Sequence, residues 1–186
     1  MHNRINTLSK ITIPDNINIK FDDNNCYISG KNGQIKHKLN KYLNIINENN
    51  ILTIQIKNTD TKEKELKKIY ALINTTKALF KNYITGIQQY YEKHLILKGI
   101  GYKAELNNNK IKLHIGFSIP INIEIPSTIK VEINSNINIT IKGISKEEVG
   151  QFAANIRLKR KPEIYKGNGI KYKNEIIKFK SPKKSK

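Results

Sequence analysis

Apolar residues alternate with polar ones through most of this chain, and that period-2 pattern limits its fold more than any other feature. A strand exposes successive side chains to opposite faces, so alternation marks a strand buried on one side only. The pattern runs through Ile17-Asn18-Ile19-Lys20-Phe21 and Ile51-Leu52-Thr53-Ile54-Gln55-Ile56. It returns in Ile111-Lys112-Leu113-His114-Ile115, across Ile119 to Ile125, in Ile129-Lys130-Val131-Glu132-Ile133 and in Ile137-Asn138-Ile139-Thr140-Ile141. Leu95-Ile96-Leu97-Lys98 and Cys26-Tyr27-Ile28 add shorter strands. Turn chemistry separates them: Asp22-Asp23-Asn24-Asn25, Asn47 to Asn50 and Asn107-Asn108-Asn109. Lys31-Asn32-Gly33 supplies an Asn-Gly hairpin signal of the type I′ kind, with Ile35 and His37 on the following strand.

Two segments break the alternation. Leu66, Ile69, Tyr70, Ile73 and Phe80 fall at helical spacing, with Ala71, Leu72 and Leu79 beside them. Asp60 and Glu63 stand where a cap would start, and the spacing predicts a helix from about Lys62 to Tyr83. A second helix opens with Ser145 and Glu148 in capping-box spacing, presents Val149, Phe152, Ala153 and Ile156, and stops at Pro162.

The chain also looks duplicated. Ile13-Pro14-Asp15-Asn16-Ile17-Asn18-Ile19 matches Ile125-Pro126-Ser127-Thr128-Ile129-Lys130-Val131. Both continue through a second alternating strand to a glycine, Gly30 and Gly143. Chance similarity in a chain rich in Ile, Asn and Lys is the competing explanation. The expected fold is α+β: two similar small domains, each an antiparallel or mixed sheet packed against one helix, plus a basic tail. The boundaries fall at residues 1–84, 85–175 and 176–186. Each half is small for a core of its own, so the two pack together or lean on a partner.

With 186 residues, a formal charge of +19 and one cysteine, Cys26, the chain has no internal disulfide or thiolate metal site to rely on. A charge this large repels itself, and a bound polyanion relieves it. Nucleic acid is the first candidate; an anionic membrane surface is the second, weakened because no apolar run nears a spanning length of about 20 residues. Lysine codons are AT-rich, so where the charge sits says more than its sum. The composition itself suggests an organellar or reduced bacterial genome. An Ile-Pro strand signal at Ile11 to Pro14 leaves little room for a transit peptide.

Enzyme readings find little to stand on. Gly99-Ile100-Gly101-Tyr102-Lys103-Ala104 spells a dinucleotide fingerprint, but that site needs a helix immediately afterwards, and here three asparagines and another strand follow. His2, His37, His94 and His114 are scattered and have no Cys partner. Asp22-Asp23 reads as a turn and Glu147-Glu148 as a first helical turn, where negative charge suits the helix dipole. Gly167-Asn168-Gly169 lacks the Lys-Ser/Thr ending of a P-loop. No catalytic residue, cofactor or metal is expected.

The basic end is the candidate site. Arg157, Lys159, Arg160 and Lys161 leave the second helix. Pro162-Glu163-Ile164-Tyr165-Lys166-Gly167-Asn168-Gly169-Ile170-Lys171-Tyr172 follows, then a lysine-rich tail opposed only by Glu175. Cations neutralise phosphates, glycines let a backbone come close to a polyanion, and tyrosines offer flat faces to bases. The bland alternative is a basic surface loop. No base-reading motif is visible, which suits recognition of folded RNA by shape and backbone.

The same residues carry a resemblance. Pro162-Glu163-x-Tyr165-Lys166-Gly167-x-Gly169-Ile170 resembles the signature of the sixth-numbered large-subunit ribosomal protein family, bacterial and organellar type. Arg4-Ile5, Ile13-Pro14, Gly30 to Gly33, Gly99 to Lys103, Gly116-Phe117-Ser118 with Pro120, and Val149-Gly150-Gln151 with Ala153-Ala154 and Ile156-Arg157 fall in family order. Asn168, Ile119 and Lys77 depart from the residues usual there. The resemblance implies two similar α+β domains and a structural place in the large ribosomal subunit. It implies contact with large-subunit rRNA near the sarcin-ricin loop and stalk base, with neighbouring ribosomal proteins and with translation factors nearby. No DNA or membrane partner is expected. Lys159, Arg160, Lys161, Lys166 and Lys171 are then the phosphate contacts, with Arg157 beside them among the RNA-binding residues. Tyr165 and Tyr172 stack or pack, and Gly167 and Gly169 allow close approach. An extra-ribosomal architectural nucleic-acid protein is the alternative.

Overall fold

The alternating segments form strands and the two helical patterns form helices; of the thirteen strands among the described residues, Leu43–Glu48 and Gly169–Tyr172 are not marked by an alternating segment. A computed structural model describes residues 9–22, 24–57 and 63–181, backbone only for 63–66. The expected cap at Asp60, the side chain of Leu66, the start at Arg4-Ile5, His2 and the last lysines lie outside the described residues. Clustering of contacts divides the chain into two compact units, Met1–Tyr90 and Tyr91–Lys186.

The first unit contains β1 (Ser9–Thr12), β2 (Asn18–Asp22), β3 (Asn25–Gly30), β4 (Gly33–Lys38), β5 (Leu43–Glu48), β6 (Ile51–Ile56) and α1 (Glu63–Gln88). Its sheets run β1-β6-β5 and β2-β3-β4. The second contains β7 (Tyr91–Lys98), β8 (Lys103–Asn107), β9 (Lys110–His114), β10 (Ile121–Glu124), β11 (Ile129–Asn134), β12 (Asn138–Gly143), α2 (Lys146–Lys159) and β13 (Gly169–Tyr172). Its sheets run β10-β9-β8 and β11-β12-β7-β13. Every strand pair described is antiparallel. The fold is α+β, two similar units built the same way.

The similarity goes one level deeper than a duplication. Each unit is two copies of a three-strand module, a lone strand followed by a hairpin, and the lone strand of each module pairs with the hairpin of the other. The link after each lone strand is a turn: Ile17 N–H donates to Pro14 O at 3.1 Å, Leu43 to Asn40 at 3.1 Å, Tyr102 to Gly99 at 3.3 Å, Ile129 to Pro126 at 3.0 Å. Ile13-Pro14 lies in the first module and Ile125-Pro126 in the fourth. The sequence match therefore joins equivalent modules that stand at different places in their units.

Those two modules share a packing constraint. A Cβ on Gly30 would lie 2.5 Å from Ile87 Cγ2 of α1, and one on Gly143 would lie 2.7 Å from Val149 Cγ2 of α2. Each would also press a backbone carbonyl at 3.3 Å, that of Asn16 or Thr128. Both neighbours are β-branched and stiff at χ1, so they yield poorly.

Helix α1 runs to Gln88, five residues past the predicted end, with Gly86 buried inside it. Ile84 and Ile87 continue the stripe of Ile69, Ile73 and Phe80, and burying them outweighs the cost of about 1 kcal/mol for a helical glycine. At α2, Ser145 Oγ accepts from Glu148 N–H at 3.3 Å. The Glu148 carboxylate does not close the capping box; it accepts from the Thr128 hydroxyl at 2.5 Å. The β3–β4 turn is not type I′. Lys31 and Asn32 form it, and positive φ falls on Gly33 at 135°, outside the turn's centre. Positive φ at both turn residues belongs instead to Asn49-Asn50 between β5 and β6. Cys26 is fully buried, and burial pushes its thiol up to about 12.

Gly143→Ala should cost about 1–3 kcal/mol by overpacking, and Gly30→Ala a similar amount. Urea unfolding of each variant measures this. A loss below about 0.5 kcal/mol would contradict the close approach.

Candidate nucleic-acid interface

The basic end of the second unit starts from the last turn of α2. Val149, Phe152, Ala153 and Ile156 bury one face, which leaves Leu158, Lys159 and Arg160 in solvent. The helix stops at Lys159, and Arg160 is extended, with φ −151°. Proline at 162 disfavours helical geometry at Lys161.

The loop that follows closes on itself. Glu163 N–H donates to Asn168 O and Gly167 N–H to Glu163 O, both at 2.9 Å. Ile170 N–H donates to Arg160 O at 2.8 Å. Beyond the loop, β13 pairs with β7, Ile170 opposite Leu97 and Tyr172 opposite Leu95. The second half of the predicted basic loop is thus an edge strand, and Ile170 is fully buried in the core.

The two glycines serve this closure. Gly169 has φ +145°, and a Cβ there would lie 2.6 Å from Pro162 Cα and 2.7 Å from Lys161 O. Gly167 has φ +73°, and a Cβ would meet the Phe179 ring at 2.8 Å. The close approach they allow in this structure is to the chain's own backbone and ring. Lys180 N–H donates to Ile164 O at 3.1 Å, and Lys98 Nζ sits 5.7 Å from the Phe179 ring centre. The tail lies against the loop through Lys180.

The predicted cations divide into two groups. Arg157 turns inward. Its Nε donates to Glu175 Oε2 at 2.9 Å, Nη2 donates to Glu175 Oε1, and its guanidinium lies 5.7 Å from the Tyr172 ring. Glu175 Oε2 also accepts from Tyr172 N–H at 3.1 Å. Hydrogen bonds from Arg157 hold the Glu175 carboxyl below the usual range, and the same pair raises the guanidinium further. Lys159, Arg160, Lys161 and Lys166 point to solvent, and Lys171 is half-buried on β13. Tyr165 is exposed, while Tyr172 packs on the core.

Other residues join this end. Arg160 lies 5.0 Å from the ring of Phe117, itself half exposed on the turn after β9. Gly116, at φ +80°, leaves room for Tyr102, whose ring also lies against Gly99. A strand, β8, follows Gly101, so no helix N-terminus is available for a pyrophosphate. Lys98 was not among the expected contacts, and Phe117 was marked only by the family-like Gly116-Phe117-Ser118; both sit beside glycines with positive φ. Among the described residues no group of three His, Cys, Asp or Glu is placed to hold a metal. Among the same residues no helix is long and apolar enough to cross a membrane.

The described residues thus form two similar α+β units, the second carrying a braced cationic loop. Residues 13–90 and 98–173 match the family model described as ribosomal protein L6. The chain is 42% identical over 178 residues to the large ribosomal subunit protein uL6m of Reclinomonas americana, covering 94% of this chain and 96% of that one. It is 39% identical over 176 residues to uL6c of Phaeodactylum tricornutum, covering 95% and 96%. It is 35% identical over 176 residues to uL6 of Pseudothermotoga lettingae, covering 94% and 96%. The chain belongs to the ribosomal protein L6 family. It is a structural protein of the large ribosomal subunit, of a family whose general role is rRNA binding, and not an enzyme.

Glu175→Gln should cost about 1–2 kcal/mol at neutral pH, since a hydrogen-bonded ion pair is lost. The folded carboxyl titrates below its unfolded value, so the pair's contribution is full above about pH 4.3 and fades as pH falls through the folded value. Denaturation of both proteins across pH 7 to 2 should show a gap at neutral pH that narrows only once the pH falls below about 4.3. Equal stability of the two proteins at about pH 7, or a gap that already narrows between about pH 7 and 5, would contradict the pairing.

Proposed function

We propose that the end of the second unit formed by Lys159, Arg160, Lys161, Lys166 and the braced 163–168 loop is the surface that holds large-subunit rRNA. One observation carries this reading. Four solvent-facing cations stand within eight residues, opposed only by Glu163, on a backbone closed by its own hydrogen bonds. A fixed array of charges suits a fixed array of phosphates, because little ordering is lost on binding. Lys171 adds charge from the edge of β13. Tyr165 offers an exposed ring for stacking, whereas Arg157 and Tyr172 brace the site from behind. Gly167 and Gly169 give the loop its shape.

The resemblance to the family suggests the finer address: rRNA near the sarcin-ricin loop and stalk base, beside the region where translation factors dock. The Ile, Asn and Lys bias suggests a ribosome encoded by an AT-rich organellar or reduced bacterial genome. A nuclear gene with a cleaved presequence would contradict that origin.

Salt dependence tests the surface. Each phosphate contact releases about 0.7 to 0.9 of a counterion, so removing three cations should flatten the log K against log salt slope by about two to three. Binding of the wild type and of the Lys159→Ala, Arg160→Ala, Lys161→Ala triple variant to deproteinised large-subunit rRNA, titrated with salt, measures it. An unchanged slope would move the interface elsewhere. Equal affinity for duplex DNA at the same salt would favour an architectural protein instead.

A further inference from the structure

Among the described residues β13 has no counterpart in the first unit. In the second unit β7 is flanked by β12 on one side and β13 on the other. In the first, β1 pairs with β6, and no described strand pairs with its outer edge. The two edges correspond position by position. Ile11 lies opposite Leu52 and Thr12 opposite Ile51; Leu95 lies opposite Ile139 and Ile96 opposite Asn138. The next residue donates to the tip of the facing hairpin in both cases, Ile13 to Asn50 O at 2.7 Å and Leu97 to Ile137 O at 2.8 Å. Ile170, Lys171 and Tyr172 of β13 sit opposite Leu97, Ile96 and Leu95. The corresponding positions beside β1 are those opposite Ile13, Thr12 and Ile11.

A groove of about 410 Å³ borders that edge. Lys10, Ile11 and Thr12 of β1 line one side and Lys81, Ile84 and Thr85 of α1 the other. Ile11 and Ile84 are buried and apolar, Lys10 and Lys81 are exposed, and no carboxylate lines the groove. In the second unit the segment that completes the sheet brings two things. It buries Ile170 against the core, and it carries Glu175 to Arg157 of α2.

We propose that the outer edge of β1 and its groove accept an extended segment of another protein, added as a fourth strand. That segment would lay an aliphatic side chain over Ile11 and Ile84 and bring a carboxylate to Lys10 or Lys81. Main-chain hydrogen bonds would give it affinity, and the groove would give it selectivity. A strand fits better than a phosphate, since an open backbone edge beside an apolar floor offers nothing to an anion beyond two lysines. This docking does not depend on the rRNA surface of the second unit.

Site-directed photo-crosslinking in assembled large subunits tests it, with Thr12→p-benzoylphenylalanine in the full chain. The expected product is a crosslink to another ribosomal protein, mapped to an extended segment with an aliphatic residue and a nearby Asp or Glu. The double variant Lys10→Glu, Lys81→Glu, at equal occupancy in the particle, should reduce that product at least about fivefold. Amide exchange at Lys10 and Thr12, whose N–H groups face away from β6, should be slower in the particle than in the free protein. A crosslink to RNA, to this chain itself, to a second copy or to a basic segment would overturn the proposal. So would no crosslink at all, which would leave Lys10 as a guard against edge pairing.

Discussion

The press of Gly169 against the Lys161–Pro162 backbone holds the basic end of the second unit in one shape. Chain leaving α2 must reverse, close a loop and enter the sheet as β13. No side chain fits at the crossing, where a Cβ would stand 2.6 Å from Pro162 Cα. Once the crossing is made, Ile170 reaches the core and Ile170 N–H reaches Arg160 O. Glu175 then meets Arg157. Lys159, Arg160, Lys161 and Lys166 are left facing outward from a backbone that has little freedom. The cationic surface is a consequence of how the strand is seated, rather than a string of lysines that happen to be near each other.

The same logic of exchange builds each unit. A lone strand and a hairpin cannot bury their apolar faces alone. Two such modules can, if each lends its strand to the other's hairpin, and one helix then covers the sheets. The second unit closes the free edge of β7 with its own chain. In the first, no described strand pairs with the matching edge of β1, which borders a groove with two lysines. Among the described residues the similar units thus present different surfaces, one cationic and braced, one with an unpaired strand edge.

Local physics made much of this legible from residues alone. Alternation located most of the strands, though not β5 or β13, because half-buried sheets have a period of two. The α2 helix was readable in full, from the Ser145 cap to the buried Val149, Phe152, Ala153 and Ile156. Long-range pairing was not. The Ile-Pro match revealed kinship between modules but not their crossed order, since strand partners leave no mark on periodicity. The spacing put the end of the first helix near Tyr83, although tertiary burial of Ile84 and Ile87 carries α1 on to Gln88. Charge counting could place Arg157 in the basic block, but only the fold shows that it faces Glu175, eighteen positions on. The glycines of the loop stood out in the sequence as points of close approach; in the structure they also lie against the chain's own Phe179 ring and Lys161–Pro162 backbone.

Sedimentation of a native extract in moderate salt, with this chain followed by antibody, tests the central claim most directly. A structural component of the large subunit must travel with that subunit, and the account predicts co-migration that survives moderate salt and is lost on RNase treatment. Recovery at the top of the gradient, or with DNA after RNase treatment, would contradict it.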